Sequence, residues 1–429
     1  MRKVLLSLIL LGSSISALAQ SLTGEWNFKI FRFGEEADRA VLILRADGET
    51  VSGTLNELKL EGTFRANVLS LRALRPDGKL FAELQGEMAG DAITGHMKCS
   101  PRENSICEWK ATRIAAAAHA PETHIFQPKQ FYRLFSGAID PVLHIHSGDT
   151  IKTTTVDSGG LDANGQLRSL GGNPQTGPFY IEGAMPGDSL AIRIDRLRLN
   201  RDSAHSGDSI IPGALSAEYY RNARYQGLDS TWQLDREHST AALAHPTDRL
   251  KSFRIETQPM LGCIAVAPAR REAFRTAWLG AWGGNLDYKR IREGATVYLP
   301  VMQEGALLFV GDAHALQGDG ELNGDALETS ADLEFTVRLI HAAATTGPRF
   351  EDNEYIMASG IAGSLQESLQ QATTELARWI ERDYKLSPSE SNLVLGSGIE
   401  YDIAELADPQ YHVVAKIKKS LLATIPLEQ

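Results

Sequence analysis

Short strand-like segments separated by turn residues dominate this chain of 429 residues, and they limit most strongly the folds that it can adopt. Between residues 21 and 113, the alternating runs EWNFKI, AVLILRA, LKLEGTF and VLSLRAL are separated by turn signals that include Asp47-Gly48 and Asp77-Gly78. Alternation of apolar and polar residues is typical of a half-buried strand, and Asp-Gly pairs favour hairpin turns. We therefore predict that residues 20–113 form a small antiparallel β domain, a lipocalin-like barrel.

A second and larger domain is predicted for residues 121–429, after a linker at residues 114–120 in the stretch IAAAAHAPETH. Up to about residue 345 this domain is again rich in strand-like runs, such as GATVYLPV, GALLFVGDAHA and LEFTVRLIHA. Strands do not alternate with helices here, which argues against a doubly wound parallel sheet. We expect a β-rich core.

Helical periodicity is confined to the C-terminal part of the chain. Between residues 361 and 380, apolar residues recur at helical spacing, namely Ile361, Leu365, Leu369, Ala372, Leu376 and Ile380. A second helix is predicted to start at Ser387, because a proline and then Glu390 follow it in the pattern of a capping box. The predicted fold class is therefore mainly β with an α/β C-terminal part.

The first twenty residues, MRKVLLSLILLGSSISALAQ, combine a basic start, an apolar run and a small-residue ending. This pattern predicts a secretory signal peptide at residues 1–19 and a periplasmic or secreted protein. In an oxidising compartment Cys99 and Cys107 are expected to form a disulfide. Cys263 lies alone in the apolar stretch LGCIAVAP, where we expect a small buried hydrophobe.

The charge of the chain excludes some classes of partner. Its formal net charge is −11, and its lysines and arginines form no basic cluster. Nucleic acids and anionic membrane surfaces attract basic patches. We therefore expect neither a nucleic acid nor a membrane as partner.

The stretch GDAHALQGDGELNGDALETS, at residues 311–330, gathers five acids around one histidine: Asp312, His314, Asp319, Glu321, Asp325 and Glu328. Asp312 and His314 are two residues apart and therefore share one face of a strand. Histidine with several carboxylates suits a divalent cation, with zinc as the first choice and calcium or manganese as alternatives. The other interpretation is a polar hairpin with solvated acids. The spacing fits neither an EF-hand nor a phosphate-binding loop.

Further candidates lie earlier in the chain. Asp157 follows an apparent strand in TTTVDSGG, and Glu182 interrupts the apolar run FYIEGA. Glu182 is either partly buried, and then in need of a partner, or a strand residue that faces solvent. His144 and His146 share a strand face and are either metal ligands or ordinary strand residues.

Several long motifs together resemble the acetamidase/formamidase family over roughly residues 121–420. They are PVLHIHSGDTIKTTTVDSGG, NPQTGPFYIEGAMPGDSLAIRI, GCIAVAP and the run from GGNLDYKRIREG to GDGELNGDALETS. The resemblance implies hydrolysis of a small aliphatic amide to a carboxylate and ammonia. It also implies a divalent metal ion and a homodimer. The N-terminal β domain lies outside the resemblance.

The resemblance also implies a set of site residues: Asp157, Glu182, Asn285, Asp287, Asp312, His314, Gln317, Asp319 and Glu321. Our hypothesis assigns metal binding to Asp157, Asp287, Asp312, His314 and Asp319. Either Glu182 or Glu321 acts as general base, and Asn285 and Gln317 orient the amide. Two alternatives stay open, a metal-containing binding protein without turnover and a structural calcium site.

Overall fold

The computed structural model describes residues 22–100, 103–114, 119–341, 343 and 345–426. The chain divides into two compact units, the first comprising Met1–Ala118 and Met185–Gly187 and the second comprising His119–Ala184 and Asp188–Gln429. The expected signal peptide lies outside the described residues and stays a prediction. Cys107 is disulfide-bonded, while the side chain of its predicted partner Cys99 also lies outside the described part. Cys263 is free and buried, as expected.

The first unit is a closed antiparallel barrel of eight strands in sequential order. Its strands are β1 (Gly24–Arg32), β2 (Glu35–Asp47), β3 (Thr50–Leu55), β4 (Leu58–Arg65), β5 (Val68–Leu74), β6 (Leu80–Ala89), β7 (Ala92–Ser100) and β8 (Glu103–Arg113). The barrel closes where β1 pairs with β8, with Trp26 opposite Arg113. Trp26, Phe28 and Trp109 fill its interior together with aliphatic side chains. The prediction of a small antiparallel barrel is confirmed.

The second unit is built mainly from strands. They are β9 (Thr123–Ile125), β10 (Leu134–Ser136), β11 (Leu143–Ile145), β12 (Thr150–Thr154), β13 (Thr176–Ile181), β14 (Ser189–Leu199), β15 (Ser203–His205), β16 (Thr231–Asp235), β17 (Thr240–Leu243), β18 (Ile255–Glu256), β19 (Met260–Ala265), β20 (Ala273–Arg275), β21 (Leu279–Gly280), β22 (Gly283–Asn285), β23 (Thr296–Pro300), β24 (Leu308–His314), β25 (Glu328–Thr329), β26 (Ala331–Ile340), β27 (Arg349–Glu351), β28 (Tyr355–Ala362), β29 (Glu400–Glu405) and β30 (Tyr411–Lys418).

These strands form two large sheets and a short β10–β20 pair. One sheet has the order β29-β30-β28-β27-β23-β14-β26-β12-β9. The other runs β18-β17-β16-β15-β25-β24-β19-β22-β21, and β13 joins it by pairing with β24 and with β11. Side chains of both sheets, such as Leu190 and Phe335 from the first and Ile264 and Val310 from the second, share one hydrophobic core. Apolar residues on the inner faces therefore hold the two sheets together.

The helices of the second unit are few. They are α1 (Ala217–Asn222), α2 (Leu365–Tyr384), α3 (Pro388–Gly398) and α4 (Lys419–Leu422), with 3-10 turns at Pro212–Ala214, Ala269–Arg271 and Asp319–Glu321. The predicted capping box of α3 is present, since Ser387 and Glu390 bond each other's backbone amides. None of the described helices is long and apolar enough to cross a membrane. The prediction of a mainly β fold with an α/β C-terminal part is confirmed.

The long helix α2 packs directly on β28 and β30. Its side chains Ala372, Leu376 and Ile380 share a hydrophobic cluster with Ala358 and Ile417 of the sheet. Gly360 in β28 allows the close approach, because a Cβ there would lie 1.7 Å from the carbonyl oxygen of Ser368 in α2. The position of α2 on the sheet therefore depends on this glycine.

We expect the Gly360→Ala substitution to lower the free energy of unfolding by ~1–3 kcal/mol, because the added methyl group forces helix and sheet apart. The matched control is Gly363→Ala, since an added Cβ at Gly363 meets nothing within 4 Å. Thermal and denaturant unfolding of both variants is the measurement. Equal stability of the two variants would contradict this account of the packing.

Candidate functional site

A cluster of buried acids surrounds His314 in the second unit. The chain supplies its members from β24, β25, the end of β29, the 3-10 turn and the segment after β22. Each member is less than a tenth exposed, and they are Asp287, Asp312, His314, Glu321, Glu328 and Glu405. We call these six residues the acid cluster. The interpretation of this region as solvated surface acids is therefore wrong for Asp312, Glu321 and Glu328.

Three members of the acid cluster have unusual backbone conformations. The φ angles are 42° at Asp287, 60° at Asp312 and 45° at Glu321. A non-glycine residue in the left-handed region costs on the order of 1–3 kcal/mol, and such residues concentrate at functional sites. The fold thus keeps three strained residues, and all three direct a carboxylate into the same cluster.

The ligand-type atoms of the cluster lie close to one another. The Nε2 atom of His314 is 3.1 Å from Oε1 of Glu328, 3.4 Å from Oδ1 of Asp312 and 3.8 Å from Oδ1 of Asp287. Three overlapping groups offer ligand atoms within 4.8 Å of one another, namely Asp287 with Asp312 and His314, His314 with Glu321 and Glu328, and Asp287 with Glu321 and Glu405. Nitrogen and oxygen atoms in such groups are suitable ligands for a divalent cation.

Several of these atoms have no hydrogen-bond partner among the described residues. They are Oδ1 of Asp287, Oδ1 of Asp312, Nε2 of His314, Oε2 of Glu328 and Oε2 of Glu405. Buried polar atoms are nearly always paired, and an unpaired buried charge is strongly unfavourable. These five unpaired atoms lie in one cluster and are of the kinds that a divalent cation binds.

The pKa values of carboxylates in the cluster are raised, because several acids are buried close together. Burial and the charges of Glu321 and Asp312 raise the pKa of Asp287 well above its usual value. Burial also raises the pKa of Glu328 to about 8, despite the opposing effect of His314. Burial and the charge of Glu405 raise the pKa of Asp408, beside the cluster, to about 8. Without a cation these carboxylates cannot all be ionised at neutral pH.

Gln317 determines which nitrogen of His314 faces the cluster. The side-chain Nε2 of Gln317 donates to the backbone carbonyls of Asp287 and Ala404, so its Oε1 must be the atom that lies 2.9 Å from Nδ1 of His314. Nδ1 therefore carries a proton and donates to Gln317. Nε2 is therefore the ring nitrogen that faces the acids. A second hydrogen bond of this kind commonly orients a metal-binding histidine. Burial lowers the pKa of His314, but the charges of Glu328 and Asp312 outweigh burial and raise this pKa well above its usual value.

Two asparagines hold the carboxylates in place. Asn285 donates through Nδ2 to Asp287 and to Asp408, the latter at 3.0 Å. Its Oδ1 accepts from Asn173, which also donates to Oδ2 of Asp312 at 3.0 Å. The amide groups of Asn285 and Asn173 are thus occupied by the acids themselves.

Gly262 in β19 leaves space between the ligand-type atoms. A Cβ at this position would lie 2.5 Å from Oδ1 of Asp287, 2.7 Å from Oδ2 of Asp312 and 2.9 Å from Cε1 of His314. Any other residue would occupy the room that the acids and the imidazole enclose.

Three of the predicted site residues are neither members of the acid cluster nor hydrogen-bonded to its side chains. Asp157 forms a buried ion pair with Arg201 at 2.6 Å. The side chain of Asp319 is 53% exposed and pairs with Lys289 at 2.6 Å. Glu182 follows the end of β13, is 41% exposed and lies 2.7 Å from Nδ1 of His144. Of the two interpretations of Glu182, the structure shows the second, in which the side chain faces solvent.

Four residues around the site were not predicted. Glu328 was counted among the acids of its stretch but given no role, and Asn173, Glu405 and Asp408 were not considered. Glu405 and Asp408 lie far along the chain, in AELADPQYH. Their local sequence contains no motif, so only the pairing of β29 with β30 and the fold around it identify them.

A second group of possible ligands, His119, His146 and Asp149, differs from the acid cluster. Both oxygens of Asp149 are satisfied, since they accept from Nε2 of His119 and of His124 at 2.8 and 2.9 Å and from the backbone amides of Glu122 and His146. Burial raises the pKa of Asp149, but these hydrogen bonds outweigh it and lower the pKa to about 2. This group is a complete hydrogen-bonded arrangement without a cation.

The chain is similar in sequence to known amidases over part of its length. A model of the Acetamidase/Formamidase family matches residues 226–377. The acetamidase of Mycolicibacterium smegmatis is 40% identical over 229 residues, which is 41% of this chain and 56% of that protein. The formamidase of Methylophilus methylotrophus is 39% identical over 207 residues, which is 38% of this chain and 51% of that protein. The chain thus spans about half the length of the curated relatives it matches.

Solved structures resemble a larger part of the chain. The acetamidase of Yersinia enterocolitica superposes with a TM-score of 0.62 and 28% identity, covering 72% of this chain and 96% of that one. A predicted acetamidase/formamidase of Thermoanaerobacter tengcongensis has a TM-score of 0.61 at 24% identity and shows the shared fold. Over part of its length this chain is therefore similar to proteins of the Acetamidase/Formamidase family, and it shares the fold of the solved acetamidase structures.

Proposed function

We propose that this protein hydrolyses a small aliphatic amide, of the size of formamide or acetamide, to its carboxylate and ammonia. The observation that carries the proposal is the acid cluster with its five unpaired ligand-type atoms. The names of the relatives, acetamidase and formamidase, support the choice of substrate. The bond that breaks is the C–N bond of the amide, and water supplies the new oxygen.

The acid cluster fits a divalent cation. Asp287, Asp312, His314, Glu328 and Glu405 would hold it, in place of the Asp157 and Asp319 of our first hypothesis. Zinc is our first choice because an imidazole nitrogen is among the ligands, and the many oxygens make manganese or calcium the alternatives. A bound cation would supply the charge that polarises the amide carbonyl and lowers the pKa of a water molecule.

Side chains of this protein act as the general base and as positioning residues. Glu321 is the general base, because it is buried in the cluster whereas Glu182 is exposed and hydrogen-bonded to His144. It takes a proton from the attacking water and returns a proton to the leaving amine. Gln317 and Asn285 act as positioning residues, since their amide groups hold His314 and Asp287.

One observation favours a second candidate function, that of a metal-containing protein that binds small ligands without turnover. All six members of the acid cluster are less than a tenth exposed, and the neighbouring Asp408 is partly open to solvent. A site so enclosed would retain a cation firmly while admitting substrate poorly.

We expect ammonia release from formamide, acetamide or propionamide to fall at least tenfold after chelation, and Zn²⁺, Mn²⁺ or Ca²⁺ to restore it. The reason is that the cation compensates the charges of the acid cluster. Ammonia release, metal content and melting temperature are measured on the same samples. Bound metal without ammonia release from any amide would support the binding protein instead. Loss of activity only in parallel with unfolding would indicate a structural ion.

We expect Gly262→Ala to lower metal content and ammonia release together, because the added Cβ fills the space between Asp287, Asp312 and His314. The matched control is Gly318→Ala, where an added Cβ meets nothing within 4 Å. Metal analysis after dialysis, with circular dichroism to check folding, is the measurement. A folded Gly262→Ala variant with full metal content would show that the cation lies elsewhere.

Glu321→Gln and Glu182→Gln distinguish the two candidates for the general base. We expect Glu321→Gln to reduce kcat by about 100-fold or more, in the range typical of general-base removal. Glu182→Gln should retain kcat within about twofold, because surface hydrogen bonds contribute little. Steady-state ammonia release measures both variants. The opposite ranking would return the role of base to Glu182.

A further inference from the structure

A separate cavity of about 520 Å³ lies in the C-terminal part of the second unit, beside α2, β23 and β27. Aromatic and basic side chains are prominent in its lining, namely Tyr298, Arg349, Trp379, Arg382, Tyr384 and Lys419. None of the residues that line this cavity belongs to the acid cluster. What the cavity binds must therefore follow from its own groups.

Two buried hydrogen-bond donors at this cavity lack an acceptor. Nε of Arg349 and Oγ1 of Thr345 have no hydrogen-bond partner among the described residues. Arg349 is held by Glu375, which lies 3.2 Å from Nη2, and by the face of Trp379, with 5.1 Å between the guanidinium carbon and the ring centroid. These contacts fix Arg349 but leave Nε free. Buried donors are nearly always paired, so an acceptor is expected here.

The side chains that line the cavity carry more positive than negative charge. Asp383 pairs with Arg382 at 2.6 Å, and Glu351 pairs with Lys419 at 3.2 Å. Each of these acids therefore already has its own cation.

Arg349 shares its acid with a second arginine, because Glu375 also contacts Arg378 at 3.0 Å. One carboxylate thus faces two guanidinium groups, which leaves an excess positive charge next to the cavity. Burial lowers the pKa of Arg349, as expected for a cation without full compensation. An anion in the cavity would relieve this excess.

The walls of the cavity are apolar. Tyr298 and Trp379 meet edge to face with ring centroids 5.9 Å apart, and Ile340, Ile356 and Tyr384 add further apolar surface. A pocket that combines apolar walls with a few placed polar groups selects a ligand with an apolar body and one polar end. We propose that this cavity binds a small monocarboxylate with an apolar body, whose oxygens accept from Arg349 and Thr345. This inference does not depend on the proposed amidase activity.

Isothermal titration of the full chain tests the proposal, with benzoate and hexanoate as probes. Benzamide is the neutral comparison and inorganic phosphate the polar anion. We expect one benzoate per chain, and binding of benzamide and phosphate at least tenfold weaker. Thr345→Val should weaken benzoate binding by about fivefold, the effect of one lost hydrogen bond. Arg349→Lys should weaken it further, while Lys251→Gln, which removes a cation at a distant surface ion pair, should leave it unchanged.

The Asp312→Asn variant distinguishes benzoate binding in this cavity from benzoate binding at the acid cluster. Benzoate binding that persists in Asp312→Asn and weakens in Thr345→Val supports the proposal. Binding that is lost in Asp312→Asn, or that is unchanged in a folded Thr345→Val variant, overturns it, as does the absence of benzoate and hexanoate binding. Ammonia release from amides is measured independently, so either proposal can fail without the other.

Discussion

Mutual repulsion among buried carboxylates is the constraint on which the rest of this structure depends. Five acids and His314 are enclosed with almost no exposure, and five of their polar atoms have no hydrogen-bond partner among the described residues. Such an arrangement is unfavourable unless a cation compensates it. The fold nevertheless holds these side chains together, and does so with left-handed backbone at Asp287, Asp312 and Glu321. A structure retains that cost where function requires the geometry.

Neighbouring polar side chains orient the members of the acid cluster through hydrogen bonds. Gln317 accepts from Nδ1 of His314 and so fixes the orientation of the ring. The two asparagines Asn173 and Asn285 bridge Asp312, Asp287 and Asp408. These amides add no charge, so they orient the acids without neutralising them. Asp149 differs from these acids, because hydrogen bonds within the protein satisfy both of its oxygens.

The N-terminal unit is a domain with a hydrophobic core of its own. The eight-stranded barrel is closed, and tryptophan, phenylalanine and aliphatic side chains fill its interior. Its core is that of an independently packed domain. The chemistry that we propose therefore belongs to the second unit alone.

The sequence by itself determined the local features. Alternating strands, the helix after Ser364, the capping box at Ser387 and the pairing of Asp312 with His314 on one strand all follow from spacing between near neighbours. Only the tertiary structure decided which distant residues complete the site. Glu405 joins the cluster, while Asp157 is neutralised by Arg201 and Glu182 faces solvent. The physical reason is that burial and charge compensation depend on contacts between segments far apart in the chain, which no local pattern encodes.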